Sequence, residues 1–243
     1  MRGIHSKTSA CLLSMALAGS VAAAIIHTTA DPFGGFFGFW GPDVFIGQSV
    51  GGRFVPSADY TLDRVKIWFM NNSSSIHPAV KVTVRTDQTS GSVSIPSSTI
   101  LAEWNINVQA LGWNPVQEIL ISTGGVGLHG GQKYWIVAQS NSAANVNAVW
   151  NYASQGNTFS AITSTDRITW QPGGNGAALT LTVEGILGLP NPSDINHDGL
   201  VNGSDLAAVL SAWGTCANCP ADINRDGLVD GNDLATLLSA WSA

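Results

Sequence analysis

Two near-identical segments, Asp194 to Trp213 (DINHDGLVNGSDLAAVLSAW) and Asp222 to Trp241 (DINRDGLVDGNDLATLLSAW), lie 28 residues apart. A duplication this close constrains the end of the chain more than any other feature, because each copy must fold as a unit that packs on its twin. Each copy opens with a twelve-residue run of oxygen-bearing side chains at alternate places. In the first, Asp194, Asn196 and Asp198 hold positions 1, 3 and 5, with Gly199 at 6, Leu200 at 7, Asn202 at 9 and Asp205 at 12. In the second, the same places fall to Asp222, Asn224, Asp226, Gly227, Leu228, Asp230 and Asp233.

Calcium takes six to eight hard oxygens, and alternate residues of a tight loop aim that many inward, with a backbone carbonyl at position 7 and Gly permitting the sharp turn at 6. The sequence therefore predicts two Ca²⁺ sites. Charge agrees: residues 190–243 carry seven Asp and a single base, Arg225, so the whole net charge of −6 is concentrated there. Two ions would offset four of those net six negative charges, which otherwise repel one another in a small module. Val201 and Val229, at position 8, are placed to pair the two loops through a short β bridge. After each loop the pattern turns helical, with Leu206, Val209, Leu210 and Trp213, and again Leu234, Leu237, Leu238 and Trp241, at i, i+3, i+4, i+7. The Leu and Val positions are expected to form a mini-core. Trp213 and Trp241 are either core or the anchors of a two-fold-related binding surface. Gly214 is a natural stop for the first helix.

Two Asp-x-Asn-x-Asp-Gly loops with Asp at position 12, each followed by a helix, resemble a type I dockerin over residues 190–243. The resemblance implies a module that binds a cohesin-like domain or another envelope protein, with calcium ordering its helices. In that family loop positions 10 and 11 and a basic stretch in the helix contribute to recognition. Here the loop positions are Gly203-Ser204 and Gly231-Asn232, and the helices carry no Lys or Arg. Ser204, Asn232, Trp213 and Trp241 are the expected partner-binding residues.

Upstream, Gly188-Leu189-Pro190-Asn191-Pro192 reads as a linker at 188–193 between a domain at 25–187 and the repeat module at 194–243. From about residue 40 to 187 the pattern is β throughout. Arg64–Phe69, Ala79–Arg85, Gln132–Ala138 and Ala178–Val183 read as strands, the second with period-two alternation of Val80, Val82 and Val84 against Lys81, Thr83 and Arg85. Weaker strands are expected at Val44–Gly47, Thr99–Trp104, Gln117–Ser122, Ala148–Tyr152 and Arg167–Trp170. Short strands separated by Gly, Asn and Ser clusters predict a mainly β fold, a jelly-roll-like β-sandwich, ahead of the small helical module. Asp31–Trp40 is either an exposed arm or an edge strand.

Residues 1–24 have the layout of a secretory signal: Arg2 and Lys7, an apolar run from Cys11, and small residues for cleavage after Ala24 or after Ala30. The apolar run is short for a membrane span, and no transmembrane anchor is expected after cleavage. The chain is therefore placed outside the cell or on its surface. In an oxidising compartment Cys216 and Cys219 are expected to form a disulfide, because two thiolates cannot complete a structural zinc site. No basic stripe favours a nucleic-acid partner.

Catalysis finds little support. A glycosidase needs two carboxylates held close together, whereas Asp59, Asp63, Asp87, Glu103, Glu118, Asp166 and Glu184 are scattered, with Glu118 expected to face solvent. His77 and His129 are isolated, and no hydrolase or phosphate-loop motif occurs. Trp68 and Trp135 are expected in the core, and Trp40, Trp104, Trp113, Trp150 and Trp170 at its rim or stacked on sugar rings. The leading expectation is a secreted, calcium-dependent docking protein whose sandwich binds polysaccharide. The alternatives are a surface protein that assembles with itself through calcium and, third, a dockerin-bearing glycoside hydrolase.

Overall fold

A computed structural model describes residues 22–29, 41–90, 93–153, 162–172, 178–216 and 219–242. The arm at 31–40 lies outside them, as does nearly all of the signal region. The fold is mainly β, with every pairing between strands antiparallel among the described residues. Chain order gives β1 (Ala24–Thr28), β2 (Asp43–Val44), β3 (Ser49–Phe54), β4 (Tyr60–Asn71), β5 (Ala79–Ser90), β6 (Val93–Asn107) and β7 (Val116–Ile121). There follow β8 (Gly127–Leu128), β9 (Tyr134–Ser140), β10 (Ala148–Trp150), β11 (Ile162–Ser164), β12 (Gln171–Pro172) and β13 (Leu181–Leu187). The C-terminal segment holds α1 (Gly203–Ser211), β14 (Gly214–Thr215), β15 (Leu228–Val229) and α2 (Gly231–Ser239).

One sheet runs β1-β13-β4-β10-β2, with β7 and β8 also paired to β4; the other runs β12-β11-β3-β9-β5-β6. Val65, Ile67 and Phe69 of β4 share one buried cluster with Val80, Val82 and Val84 of β5, so the two sheets enclose a common core, consistent with a β-sandwich. Trp150 is fully buried in that cluster, and its indole N–H donates to the Thr180 carbonyl at 2.8 Å. This satisfies the polar end of a large apolar ring, as burial of Trp requires.

The alternation expected of β5 is present, with one departure: Thr83 is buried on the outer face. Its cross-strand neighbour Val137 belongs to a second buried cluster, with Ile95, Trp135 and Trp170, that covers part of the outside of the six-stranded sheet. Trp135 is buried there, not in the central core, and donates to Asp87 Oδ1 at 2.7 Å. Trp68 is only half-buried, since Ile67 and Phe69 on either side take the inward positions of β4. Arg167–Trp170 is a loop between β11 and β12 rather than a strand. Strand β3 escapes the sequence pattern because Gly51-Gly52 supplies no side chain to alternate. At Gly185 the register of β13 on β4 shifts, and a Cβ would sit 2.5 Å from the Thr61 carbonyl and 2.6 Å from Ile26 of β1. Glycine is required for β1 to lie against that bulge.

The segment expected as a linker lies against the β-sheet region. The Gly188 N–H donates to the Asp59 carbonyl at 2.8 Å, and Thr61 Oγ1 donates to the Gly188 carbonyl at 3.0 Å. Pro190 packs over Gly127, and the His197 imidazole covers Gly125. No helix among the described residues is long and apolar enough to cross a membrane.

Asn71, at the end of β4, is fully buried. Its amide donates to the Ile76 and Ala110 carbonyls at 2.7 and 2.9 Å, and its Oδ1 accepts the Ser73 N–H at 2.8 Å. Removing a side chain that satisfies three buried backbone groups strands all of them. Asn71→Ala is expected to lower stability by about 2–4 kcal/mol, read from urea unfolding followed by tryptophan fluorescence.

Candidate metal-binding loops

Both loops reverse direction through left-handed backbone. His197 and Arg225 at position 4 have φ of 58° and 60°, and Gly199 and Gly227 at position 6 have φ of 87° and 92°. For a side chain other than Gly that conformation costs about 1–2 kcal/mol, and side-chain-to-backbone turns offset it. In the first loop the Asp198 N–H donates to both Asp194 Oδ1 and Asn196 Oδ1 at 3.1 Å, the Gly199 N–H to Asp194 Oδ2 at 2.9 Å, and the Leu200 N–H to Asp198 Oδ1 at 2.9 Å. The second loop repeats this: Asp226 N–H to Asp222 Oδ1 at 3.1 Å and Asn224 Oδ1 at 2.9 Å, then Gly227 N–H to Asp222 Oδ2 and Leu228 N–H to Asp226 Oδ1, both at 2.9 Å.

Position 12 closes each loop from below. Asp205 is fully buried and accepts Ile195 and Asn196 N–H on Oδ1, at 2.8 and 3.2 Å, and Asn202 N–H on Oδ2 at 2.9 Å. Asp233 does the same with Ile223, Asn224 and Asp230, at 2.8, 3.1 and 2.9 Å. The position-9 side chains, Asn202 and Asp230, are the N-caps of α1 and α2, each accepting an N–H two residues on, from Ser204 and Asn232. Each helix start is therefore a capping box whose acidic member also pins the loop entrance. The spacing Asn202-x-x-Asp205 and Asp230-x-x-Asp233 carries that signal in the sequence, where position 9 reads only as an ion ligand.

Burial holds the Asp194 carboxyl above the ordinary carboxylate range, with the charges of Asp205 and Asp198 adding to it against the N–H groups of Gly199 and Asp198. At Asp233 burial pulls the same way, but the N–H donors of Asp230, Asn224 and Ile223 outweigh it and the pKa is lowered. Among the described residues no ion pair involves any acid of the repeats. Nor are three or more His, Cys, Asp or Glu side chains gathered there into a metal-holding group. The loop carboxylates instead aim several of their acceptor sites at backbone amides. The donor set nevertheless fits one kind of group. Carboxylate, amide and carbonyl oxygens without thiolate or imidazole suit a hard cation, and Asp194 and Asp222 are buried without a compensating base.

The expected bridge between Val201 and Val229 is replaced by a reciprocal clasp. Val229 pairs with Gly214, and the Ser242 N–H donates to the Val201 carbonyl at 2.8 Å while Ser242 Oγ accepts the Val201 N–H at 2.9 Å. The residue after each repeat's Trp thus meets position 8 of the other repeat, which leaves the two valines buried but not paired to each other. The mini-core comprises Val201, Val209, Ala221, Val229 and Leu237, with Leu206 and Leu234 against it. Leu210 and Leu238, expected inside, are 54% and 51% exposed. With Trp213 and Trp241 at 52% and 43% they form an outward apolar set, so both tryptophans are surface groups. Ser204 and Asn232 are exposed as well. Gly214, at φ 111°, lies beyond the Ala212 cap and turns the chain into β14. Cys216 and Cys219 are disulfide-bonded, with Cys216 N–H on the Gly227 carbonyl and Asp222 N–H on the Cys219 carbonyl, both at 3.1 Å. The staple is therefore seated against the second loop.

Of the acids of the β domain, Asp63 and Glu184 come together, but on either side of Arg64 Nε, at 2.5 and 3.6 Å, so the pair is held by a cation rather than left open to a substrate. Asp63 pairs with Arg64, Glu184 with Lys66, and Glu103 with Lys81, while Asp87 serves Trp135 and Ser94. Glu118 does not face solvent: it is 8% exposed and accepts the Gln109 N–H on Oε1 at 2.6 Å. Its strand puts Ile119 and Ile121 outside instead, at 52% and 57% exposure. Of the rim tryptophans, Trp150 and Trp170 are buried, Trp104 is half-buried with its indole on the Ile121 carbonyl, and Trp113 is exposed; Trp40 lies outside the described residues. No protein-family model matches the chain, and no curated protein matches it.

Asp205→Ala removes the acidic half of the capping box and the link to the loop entrance together. It is expected to destabilise the C-terminal segment by about 3 kcal/mol, seen as loss of helical circular dichroism at a lower temperature. Burial raises the pKa of Glu118 above the ordinary carboxylate value of 4.5, against opposing pulls from the Gln109 N–H and His77. Its contribution to stability is full below 4.5 and declines as pH rises through the raised value. Glu118→Gln should therefore flatten the fall in melting temperature on the alkaline side of pH 4.5.

Proposed function

We propose that the chain is a secreted, calcium-binding docking protein, in which a dockerin-like C-terminal module binds a cohesin-type or other envelope partner and a jelly-roll-like sandwich binds polysaccharide. The observation that carries this reading is the duplicated loop network, in which positions 1, 3, 5, 6, 9 and 12 play the same hydrogen-bonding part in both copies. The same donors and acceptors recur in both copies, with distances that agree within about 0.2 Å, so whatever the first loop holds the second is built to hold as well. Bound calcium would supply the positive charge that the buried Asp194 and Asp222 lack. The chain's own part is to hold the loop backbone turned, to present Leu200 and Leu228 carbonyls at position 7, and to start each helix from the closed loop.

The outward set of Leu210, Trp213, Leu238 and Trp241 supports the docking half. Two equivalent apolar patches on a small module suit a protein partner, with Ser204 and Asn232 at the polar margin. The disulfide supports an oxidising, extracellular location.

Calorimetric titration of the chelator-stripped chain should give two calcium ions bound, and Asp194→Ala and Asp222→Ala should each leave one. Stoichiometry unchanged in either variant defeats the ligand assignment. Capture from secreted and surface proteins, with calcium in one arm and chelator in the other, tests docking. Recovery of a different protein only with calcium supports it, whereas recovery of the chain alone favours self-assembly.

A further inference from the structure

The outer face of the six-stranded sheet is only partly covered. Ile95, Trp135, Val137 and Trp170 bury one end of it, and the other end opens into a groove of about 590 Å³. Its floor is a cross-strand row. Lys81 of β5 pairs directly with Asn105 of β6 on one side and Gln139 of β9 on the other. Period-two alternation sends these three side chains to the same face, opposite the buried Val80 and Val82. Asn107 and Asn141 line the next level of the groove.

The loop between β11 and β12 forms the wall. Asp166 Oδ1 accepts the N–H groups of Ile168 and Thr169 at 2.8 and 2.6 Å, which folds the loop tightly and sets Arg167 at φ 65°. The Arg167 guanidinium then donates from Nη2 to the Ser140 carbonyl and to Asn141 Oδ1, both at 2.8 Å, clamping the wall to the end of β9. A backbone position that strongly disfavours a side chain is thus held in place to set an arginine at the groove.

Charge distinguishes this face from the rest of the chain. Lys81 and Arg167 line the groove, and Arg85 stands behind it, donating to Gln139 Oε1 at 2.9 Å. The carboxylates beside them are Glu103, 2.9 Å from Lys81, and Asp166 of the wall loop, whose Oδ1 is turned on to Ile168 and Thr169 N–H. Three cations against two acids leave a small local positive surplus on a chain whose net charge is −6. Gln139 is buried, with its amide on Arg85 and Ser49, and serves as the groove's base. The amides of Asn105 and Asn107 supply donor and acceptor together and match adjacent sugar hydroxyls, while Lys and Arg match an anionic substituent. Neighbouring strands stand about 4.8 Å apart, close to the length of one pyranose ring, so a glycan crossing the strands would offer roughly one sugar to each.

We infer that this groove, built on the row Asn105–Lys81–Gln139 and walled by Arg167, binds a polysaccharide segment that carries anionic groups. The inference rests on the reading of the sandwich as a glycan-binding domain and names its surface and its ligand class. The exposed tryptophan expected to stack on sugar, Trp113, is not among the residues that line it.

The test is calorimetry of the full chain with three probes of similar length: an oligogalacturonate, a sulfated galactan oligosaccharide and a neutral galactan oligosaccharide. The carboxylated or the sulfated probe should bind, and the neutral one should not. Lys81→Gln should weaken binding about tenfold and flatten its salt dependence. Asn105→Ala should weaken it less, and Lys133→Gln, on an exposed loop elsewhere, should leave it unchanged. Comparing the two anionic probes decides between carboxylate and sulfate. Binding of the neutral probe with Lys81→Gln unaffected overturns the groove while leaving a glycan-binding sandwich. Binding of none of the three overturns both.

Discussion

The larger sheet is built on one strand. β4 hydrogen-bonds to β13 and β10 along one edge and to β7 and β8 along the other, so four of its neighbours share a single length of backbone. Its inward residues, Val65, Ile67 and Phe69, are fully buried, and its end is fastened by the three hydrogen bonds of Asn71. Because β13 and β8 both pair near its start, the chain leaving β13 is delivered beside the β8 turn. The linker contacts at Asp59, Thr61, Gly125 and Gly127 follow from that delivery. The short segment 188–193 is thus held by the first domain along part of its length, and His197 of the first loop rests on a glycine of that domain.

How far the sequence disclosed this depends on how local each cause is. The repeat, its turns and its helices are local: spacing alone places the Asp side chains, the glycines at positive φ and the helix starts. The alternation of β5 is legible for the same reason. What escaped was decided by non-local packing. Glu118 reads as an outward strand residue, yet β7 presents Ile119 and Ile121 outward and folds the carboxylate against Gln109. Thr83 reads as exposed and is covered by the cluster around Trp135 and Trp170. Trp68 and Leu210 read as core, but their neighbours filled the available space first. β3 is hidden by its paired glycines, and the true partners of Val201 and Val229 are fixed by how the two repeats dock, which spacing within one repeat does not reveal.

The candidate sites differ in kind. The loops are built from backbone amides turned on to carboxylates, so their geometry is set by short-range turns and repeats faithfully in both copies. The groove on the six-stranded sheet is assembled from three strands and a distant loop, and its cationic surplus is invisible in a chain whose overall balance is acidic. One lies in contiguous sequence; the other exists only after folding.

The reciprocal clasp has a consequence for how the C-terminal segment comes into being. Position 8 of the first repeat is completed by Ser242, a residue 41 places further along. The second repeat's Val229 is completed by Gly214, contributed by the first. The turns and capping box of each copy are internal to it, but neither copy holds the partner of its own position 8, so a chain emerging during synthesis can close the first loop without clasping it. The first repeat must wait, unclasped, until the second has passed through and turned back on it. A lone half, whether from truncation or from a duplication not yet made, lacks the residue that closes on its position 8.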